Sequence, residues 1–407
     1  MTAVPAIDSR TALRWLFIIQ LVSMGAMEMS APFWPLHLRA LGQLSPHALA
    51  WASGIAYAGP MVMAMCFTPW WGRLGDRTGH KPMLLRALIA LAITQLWVAT
   101  ADDTVSILVA RLVQGALAGF IAAAQAYGVC LVASNRRGSL MANLQVATAI
   151  GSVVGPLAGG WIFDAFGFRS LNVVAAVVCF VCAIAVWRVL PAASPLSSQE
   201  SAGKSTERPF ALGAVYGLLI AIVLVQTGKM MPQTFFGLFA EQVLHAPAWV
   251  TGLCYGATAL GLCIAAPFWG KRFEGQAGAT VLRQVEWICW ACVVIVAVQA
   301  INHDLIVFIV ARVLWGVCLG ALLPVFYGLL SRDTDAHDQG RVLGAGNSAA
   351  KAGALLGAGA GGLTLGWIPI QYAFWPVVAV YAVAAIGLRV IRRKRDLTPV
   401  ADHSAAI

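Results

Sequence analysis

Charged residues are scarce in this chain of 407 residues, where Asp, Glu, Lys and Arg together make up 11% and hydrophobic residues 60%. A soluble domain of this length cannot cover so much apolar surface, because its core stops growing with chain length and its surface needs polar cover. A lipid bilayer removes that limit. The composition therefore excludes an ordinary soluble protein and favours a membrane protein.

Sequence motifs of enzymes are also missing. The chain has no HExxH pattern, no phosphate-binding loop of the Walker type and no Ser, His and Asp cluster typical of a hydrolase. Two CxxC pairs, Cys179 with Cys182 and Cys289 with Cys292, lie in apolar runs without a nearby histidine. We interpret these cysteines as small buried hydrophobic residues. Neither an enzyme nor a metal site is expected, and no cofactor is expected apart from a proton gradient as the energy source.

Twelve long apolar runs recur along the chain, and each is close to the roughly 20 residues that a helix needs to cross a bilayer. They lie near 13–38, 48–70, 82–101, 105–131, 140–163, 171–190, 212–239, 249–269, 281–301, 305–330, 342–365 and 370–390. The runs lack the alternation of a strand, and only helices or closed barrels span lipid. They predict an all-α membrane protein with twelve transmembrane helices.

A polar segment separates these runs into two sets of six. Residues 191–209 are rich in Ser, Ala and charged side chains, which is typical of a solvated linker. We therefore predict an N-terminal six-helix half at 1–190, a cytoplasmic linker at 191–209, a C-terminal half at 210–391 and a basic cytoplasmic tail at 392–407.

The two halves repeat each other in sequence. Ala110-Arg-Leu-Val-Gln-Gly115 matches Ala311-Arg-Val-Leu-Trp-Gly316, 201 residues further on. Pro69-Trp-Trp-Gly-Arg73 matches Pro267-Phe-Trp-Gly-Lys271 at a spacing of 198. Parallel six-helix repeats of this kind build transporters that rock around a site in the middle of the membrane.

Basic residues orient the predicted spans. With the N-terminus inside, Lys and Arg lie on the inner side except for Arg39 and Arg169 in outer loops and Arg111, Lys229, Arg312 and Lys351 within spans. The net charge of +10 then reflects membrane topology, so no nucleic-acid partner is expected. We expect a multi-pass monomer in the cell membrane (inner or plasma membrane) with both termini cytoplasmic, whose partners are lipid and a small-molecule substrate.

The loop after the second run carries Gly72-Arg-Leu-Gly-Asp-Arg-Thr-Gly-His-Lys81. Its glycines allow a tight turn, Asp76 and Arg77 could pair across it, and the carboxylate could dock on a helix N-terminus of the other half. This loop resembles the signature loop of the major facilitator superfamily, except that His80 stands where Arg or Lys is usual, which makes the charge there sensitive to pH. The resemblance implies a gating role for Gly72, Asp76, Arg77, Gly79 and Lys81.

The fifth run contains Gly151-Ser-Val-Val-Gly-Pro-Leu-Ala-Gly-Gly160. Small residues at this spacing let helices approach closely, which ordinary helix packing would also explain. Together with Pro32 and Pro35, the pattern is similar to that of drug:proton antiporters of the superfamily, and the first run loosely resembles siderophore exporters. The resemblance implies a gating role for Gly151, Gly155, Pro156, Gly159 and Gly160.

Charges within the spans indicate a candidate site. Glu28 is the one acid that we place well inside a helix, and the repeat offset of 201 pairs it with Lys229. We expect these two side chains to enter one cavity from opposite halves. Arg111-Leu-Val-Gln-Gly115 resembles a motif of the superfamily in which the arginine is tied to proton relay, but Arg111 could also be a structural arginine between helices. Lys351 adds a further base, which could instead reach to the membrane surface.

Glu28 and Arg111 are thus predicted to couple protons. The predicted substrate-binding set comprises both of them and Phe33, Trp34, Gln114, Gln226, Lys229, Phe235, Phe236 and Lys351. One acid against three bases favours anionic substrates, and carboxylate-bearing metabolites such as siderophores are one such class.

These observations predict a secondary active transporter that exports a small organic molecule, drug-like or anionic, in exchange for protons by alternating access. Two alternatives stay open. A proton-coupled symporter that imports an organic anion would also suit a basic cavity, and a membrane receptor that does not transport is harder to exclude by sequence.

Overall fold

The computed structural model describes residues 9–42, 44–117, 119–133, 136–191, 212–273, 276–332 and 339–397. In these ranges all regular structure is helical, and ten helical segments are long and apolar enough to cross a membrane. Residues 192–209 of the predicted linker and 398–407 of the predicted tail lie outside the described ranges.

The ten segments account for eleven of the twelve predicted spans. Helix Arg137–Val189 contains two of them, because its backbone leaves the helical conformation at Gly167, where φ is 80°. Helix Gln339–Trp367 supplies the remaining span, and its 29 residues are rich in Gly and Ala, which are less hydropathic than Leu or Val. The prediction of an all-α membrane protein with twelve spans is confirmed.

We number the spans in chain order. The first comprises Ser9–Glu28, a 3-10 turn at Ala31–Phe33 and Trp34–Ala40; the second is Pro46–Thr78 and the third His80–Thr100; the fourth comprises Thr104–Leu117 and Phe120–Val129; the fifth and sixth share Arg137–Val189. The seventh comprises Leu212–Met230, Met231–Thr234 and Phe236–Gln242; the eighth is Ala248–Phe273, the ninth Gly278–Ile301, the tenth Leu305–Arg332 and the eleventh Gln339–Trp367; the twelfth comprises Ile370–Tyr372 and Trp375–Leu397.

The internal repeat is visible in matching contacts. The indole Nε1 of Trp71 on the second span donates to the carbonyl of Ala116 on the fourth, over 2.7 Å. The equivalent Trp269 on the eighth span donates to the carbonyl of Val317 on the tenth, over 2.8 Å. The first and seventh spans are also interrupted at equivalent positions by a short 3-10 turn. These pairs support the two-repeat arrangement.

Contacts between Cα atoms group the chain into two compact units. The first unit is Met1–Ser205 with Gln233–Leu260 and Ala358–Gln371, and the second is Thr206–Pro232 with Gly261–Gly357 and Tyr372–Ile407. The first unit thus takes in short pieces of the C-terminal half. The predicted domain boundaries divide the chain by sequence repeat, whereas these units divide it by contacts. The boundaries therefore stay a prediction.

Candidate functional site

The first span breaks immediately after Glu28. Helix Ser9–Glu28 ends there, and the chain passes through the Ala31–Phe33 turn before it becomes helical again. Pro32 and Pro35 have no N–H to continue the hydrogen-bond ladder, so carbonyl groups near the break need other donors. The hydroxyl of Tyr57, from the second span, donates to the carbonyl of Ala31. Glu28 therefore lies half-buried at the C-terminal end of a half-helix, a location that the sequence did not predict.

Arg111 reaches the second span from the fourth. Its Nε donates to the carbonyl of Ala56 over 3.0 Å. Ala56 precedes Pro60 by four residues, and because proline has no N–H, this carbonyl lacks its normal helical donor. Arg111 supplies the missing donor. It therefore has the structural role between helices that the sequence analysis left open.

The same guanidinium faces the candidate site. Its central carbon lies 4.6 Å from the centroid of the Trp34 ring, and Nη1 donates to the side-chain oxygen of Gln114. Glu28, Tyr57 and Tyr255 lie within electrostatic range of Arg111. The structure thus brings Glu28 and Arg111, the two predicted proton-coupling residues, together with two tyrosines in the first unit.

The predicted aromatic residues are buried. Phe33, Trp34, Phe235 and Phe236 are each at most 1% exposed. Phe33 stacks on Phe163 with 4.9 Å between ring centroids, and Trp34 meets Phe168 edge-on at 5.2 Å. In this arrangement Trp34 supports the site by packing beneath Arg111.

The remaining predicted site residues lie in the second unit. Lys229 is half-buried near the end of helix Leu212–Met230, Gln226 is buried one turn earlier, and Lys351 is exposed on the eleventh span. The eleventh span packs tightly on this helix, because a Cβ on Gly353 would lie 2.4 Å from the carbonyl oxygen of Val223. That Lys229 faces Glu28 stays a prediction.

The glycines of the fifth span lie against backbone. A Cβ atom placed on Gly151, Gly155 or Gly159 would lie within 2.2 to 2.6 Å of a carbonyl oxygen of the first span, those of Leu21, Gly25 and Met29 in turn. Four-residue spacing on both helices makes these contacts repeat with each turn. The stripe therefore fixes the helix that ends at Glu28.

Gly160 and Pro156 belong to a second contact of the fifth span. A Cβ on Gly160 would lie 2.3 Å from the carbonyl oxygen of Ala248, and one on Gly252 would lie 2.0 Å from that of Pro156. The predicted close approach of helices thus involves the eighth span as well as the first.

The signature loop turns at Gly79, where φ is 93°. Asp76 and Arg77 both lie in helix Pro46–Thr78, and Asp76 meets His80 one helical turn on, with 3.9 Å between Oδ1 and Nε2. Pairing of Asp76 with Arg77 across the turn was therefore a wrong expectation, because neighbouring residues on a helix point in different directions. Gly72 is exposed with open space around it.

Lys81 closes the other end of the loop. Its Nζ donates to the carbonyl of Trp187 over 3.0 Å and also to that of Leu190, at the C-terminus of the sixth span. A cation at this position satisfies carbonyls that have no helical partner.

The family model for the Major Facilitator Superfamily matches residues 16–280 and 286–405. The chain belongs to the major facilitator superfamily. It is similar to the staphyloferrin B transporter of Staphylococcus aureus, with 26% identity over 93% of this chain and 92% of that protein. It is also similar to the multidrug resistance protein MdtG of Yersinia enterocolitica, with 26% identity over 78% of this chain and 77% of that protein.

Solved structures show the same fold. A bacterial homolog of the human lysosomal transporter Spinster superposes with a TM-score of 0.76 and 12% identity, over 96% of this chain and 98% of that one. As a member of the major facilitator superfamily, the protein is a multi-pass membrane transporter of small molecules and not an enzyme.

Sequence reasoning missed several polar residues of this superfamily member. The expectation that Glu28 is the one acid well inside a helix was wrong, because Glu286 is also buried, with 6% exposure, on the ninth span. It pairs with Arg392 over 2.9 Å and with Arg389 over 3.9 Å. Tyr57 and Tyr255 were also missed, because their positions in the sequence give no sign that they lie within electrostatic range of Arg111.

For Asp76 we expect substitution by asparagine to slow transport several-fold and to change the substrate concentration at half-maximal rate much less. The half-maximal concentration should change little because this side chain is 74% exposed and lies at the signature loop, away from the Glu28 and Arg111 cluster. Initial rates over a range of substrate concentrations in membrane vesicles would measure this. Full turnover of the Asp76→Asn variant would remove Asp76 from the transport cycle.

Proposed function

We propose that this protein exports small organic molecules in exchange for protons, by alternating access. One observation carries the proposal: Glu28 lies at the break in the first span and within electrostatic range of Arg111. A carboxylate at membrane depth is costly and is a functional candidate by default. Discontinuous helices in the middle of transporters commonly form their substrate and ion sites.

Two opposing influences act on Glu28. The C-terminal end of helix Ser9–Glu28 carries partial negative charge, which disfavours an ionised carboxylate. The guanidinium of Arg111 favours it. A change in the distance to Arg111 would alter this balance, so proton binding and release can follow the conformational cycle.

Export is supported by the antiporter-like glycine pattern of the fifth span. The glycine stripe contacts the backbone of the first span at three successive turns. We expect two helices packed in this way to move together as one body. Of the relatives, one is named a staphyloferrin B transporter and another, MdtG, a multidrug resistance protein. Arg111 and Lys229 favour an anionic substrate, so we propose a siderophore or another carboxylate metabolite ahead of a cationic drug.

Purified protein in liposomes that enclose a pH-sensitive dye provides the test. Staphyloferrin B and ethidium, representing siderophores and cationic drugs, are supplied separately as concentration gradients. We expect the anionic probe to drive protons in the opposite direction to its own movement. The Glu28→Gln variant should lower this flux to the level of protein-free liposomes while it still binds the probe, as measured by tryptophan fluorescence.

Glu286→Gln is the matched control, because Glu286 is also an acid within a span but pairs with Arg392. It should keep substrate-driven proton flux per folded molecule. Protons that move in the same direction as the probe would instead identify a symporter, and binding without any flux would identify a receptor. Undiminished flux in Glu28→Gln would exclude Glu28 as the coupling acid.

A further inference from the structure

Asp164 caps the eighth span from the end of the fifth. One carboxylate oxygen accepts from the backbone N–H of Ala248 over 2.9 Å, and the other accepts from that of Trp249 over 2.8 Å. Helix Ala248–Phe273 begins at these residues, and the first N–H groups of a helix have no partner within it. The charge of the carboxylate also suits the positive end of the helix. Asp164 thus satisfies two donors that would otherwise need water.

The cap is possible because Gly160 has no side chain. Gly160, one turn before Asp164, would place a Cβ 2.3 Å from the carbonyl oxygen of Ala248 and 2.7 Å from the Cα of Trp249. A larger residue at Gly160 would push the helix end out of reach of the carboxylate. The antiporter-like glycine pattern therefore also allows the Asp164 cap.

Two further contacts lie at the same end of the spans, which we call the outer side after the predicted orientation. Arg39, at the end of the first span, forms an ion pair with Glu241, at the end of the seventh. A Cβ on Gly362 of the eleventh span would lie 2.7 Å from the Cα of Gly54 of the second. Like the Asp164 cap, both contacts join the two sequence repeats within the first unit.

We propose that Asp164 is a latch of the transport cycle: its carboxylate holds the outer side closed and must release the eighth span before that side can open. The proposal needs only the movement of a major facilitator transporter, and it is independent of the proton coupling and the substrate proposed above. In the sequence, such docking of a carboxylate on a helix N-terminus was expected of Asp76 at the opposite side. The structure shows the arrangement at Asp164.

Hydrogen exchange measured by mass spectrometry on the purified full chain tests the latch. In Asp164→Ala the amides of Ala248 and Trp249 should exchange about fivefold faster, which loss of a helix cap alone would cause. If Asp164 is a latch, a second change in exchange is expected as well. Peptides that cover Gly54 and Gly362, which are parts of other outer-side contacts, should also lose protection, and peptides of the signature loop should gain it.

Asp102→Ala is the matched control, because Asp102 is an exposed outer acid that pairs with Arg169 inside the same repeat. It should leave exchange near Gly54 and Gly362 unchanged. Asp164→Asn, which keeps one acceptor oxygen, provides a second test in case the alanine variant misfolds. It should give a smaller change in the same direction. Faster exchange limited to the first turn of the eighth span would overturn the proposal, as would an equal loss of protection near Gly54 in Asp102→Ala.

Discussion

Replacing Gly159 with leucine is expected to abolish transport and to lower the yield of folded protein. A Cβ on Gly159 would lie 2.2 Å from the carbonyl oxygen of Met29 and 2.9 Å from its Cα. These are backbone atoms, so relief requires a shift of the first span and not a change of rotamer. Overpacking costs typically about 1–3 kcal/mol, and here the strain falls next to Glu28.

Gly359→Leu is the control, because Gly359 lies in the eleventh span and no atom of another described segment lies within 4 Å of its Cβ position. Size-exclusion chromatography of detergent extracts would measure folded yield, and vesicle uptake would measure transport per folded molecule. Gly159→Ala should be intermediate, since its Cβ meets the clash without the rest of a side chain. Normal yield and tightly coupled transport in Gly159→Leu would mean that the stripe is incidental.

Much of the fold could be predicted because the bilayer restricts the choices. Long apolar runs predicted the spans, and the polar gap near Gly167 separated the fifth span from the sixth, although one helix, Arg137–Val189, contains both. The break after Glu28 was not predicted. Its signal, Pro32 and Pro35, was noted for family resemblance, but hydropathy alone extended the first span as one continuous helix.

The site was harder to predict, because sequence gives the depth of a residue in the membrane but not the face of the helix that carries it. Glu28 and Arg111 were chosen for their charge, and the structure does bring them together. Phe33 and Phe236 were chosen as neighbours in sequence, and both are buried. Glu286 was overlooked, because its partners Arg389 and Arg392 lie about 100 residues away in sequence.

Contacts between distant segments account for the other omissions. Asp164 lies just beyond the apolar run of the fifth span and looks like an ordinary loop acid. Its role is visible only when the N-terminus of the eighth span lies beside it. The glycines that allow this approach were recognised, but sequence cannot tell which helix each glycine meets.

Arg111→Lys is expected to remove most proton-coupled transport although the charge is retained. Lysine has no donor at the position of Nε, so it cannot bind the carbonyl of Ala56 and keep its charge over Trp34 at the same time. Leaving that buried carbonyl without a donor costs about 1–3 kcal/mol. We therefore expect lower thermal stability together with the loss of transport.

A second substitution separates the structural role of Arg111 from its role in coupling. Pro60→Ala restores the N–H that normally bonds to the carbonyl of Ala56, so the double variant with Arg111→Lys should regain thermal stability. It should not regain proton flux, because the guanidinium that lies in electrostatic range of Glu28 is still absent.

Arg312→Lys offers the comparison in the second repeat, where Thr258 stands at the position equivalent to Pro60 and keeps its N–H. Pro60→Ala should therefore bring no recovery to Arg312→Lys. Melting temperature and substrate-driven proton flux, measured on the same preparations, decide the matter. If the Arg111→Lys and Pro60→Ala double variant recovered both, Arg111 would be a helix tether alone, and the partner of Glu28 would have to be sought elsewhere, with Lys229 as the first residue to test.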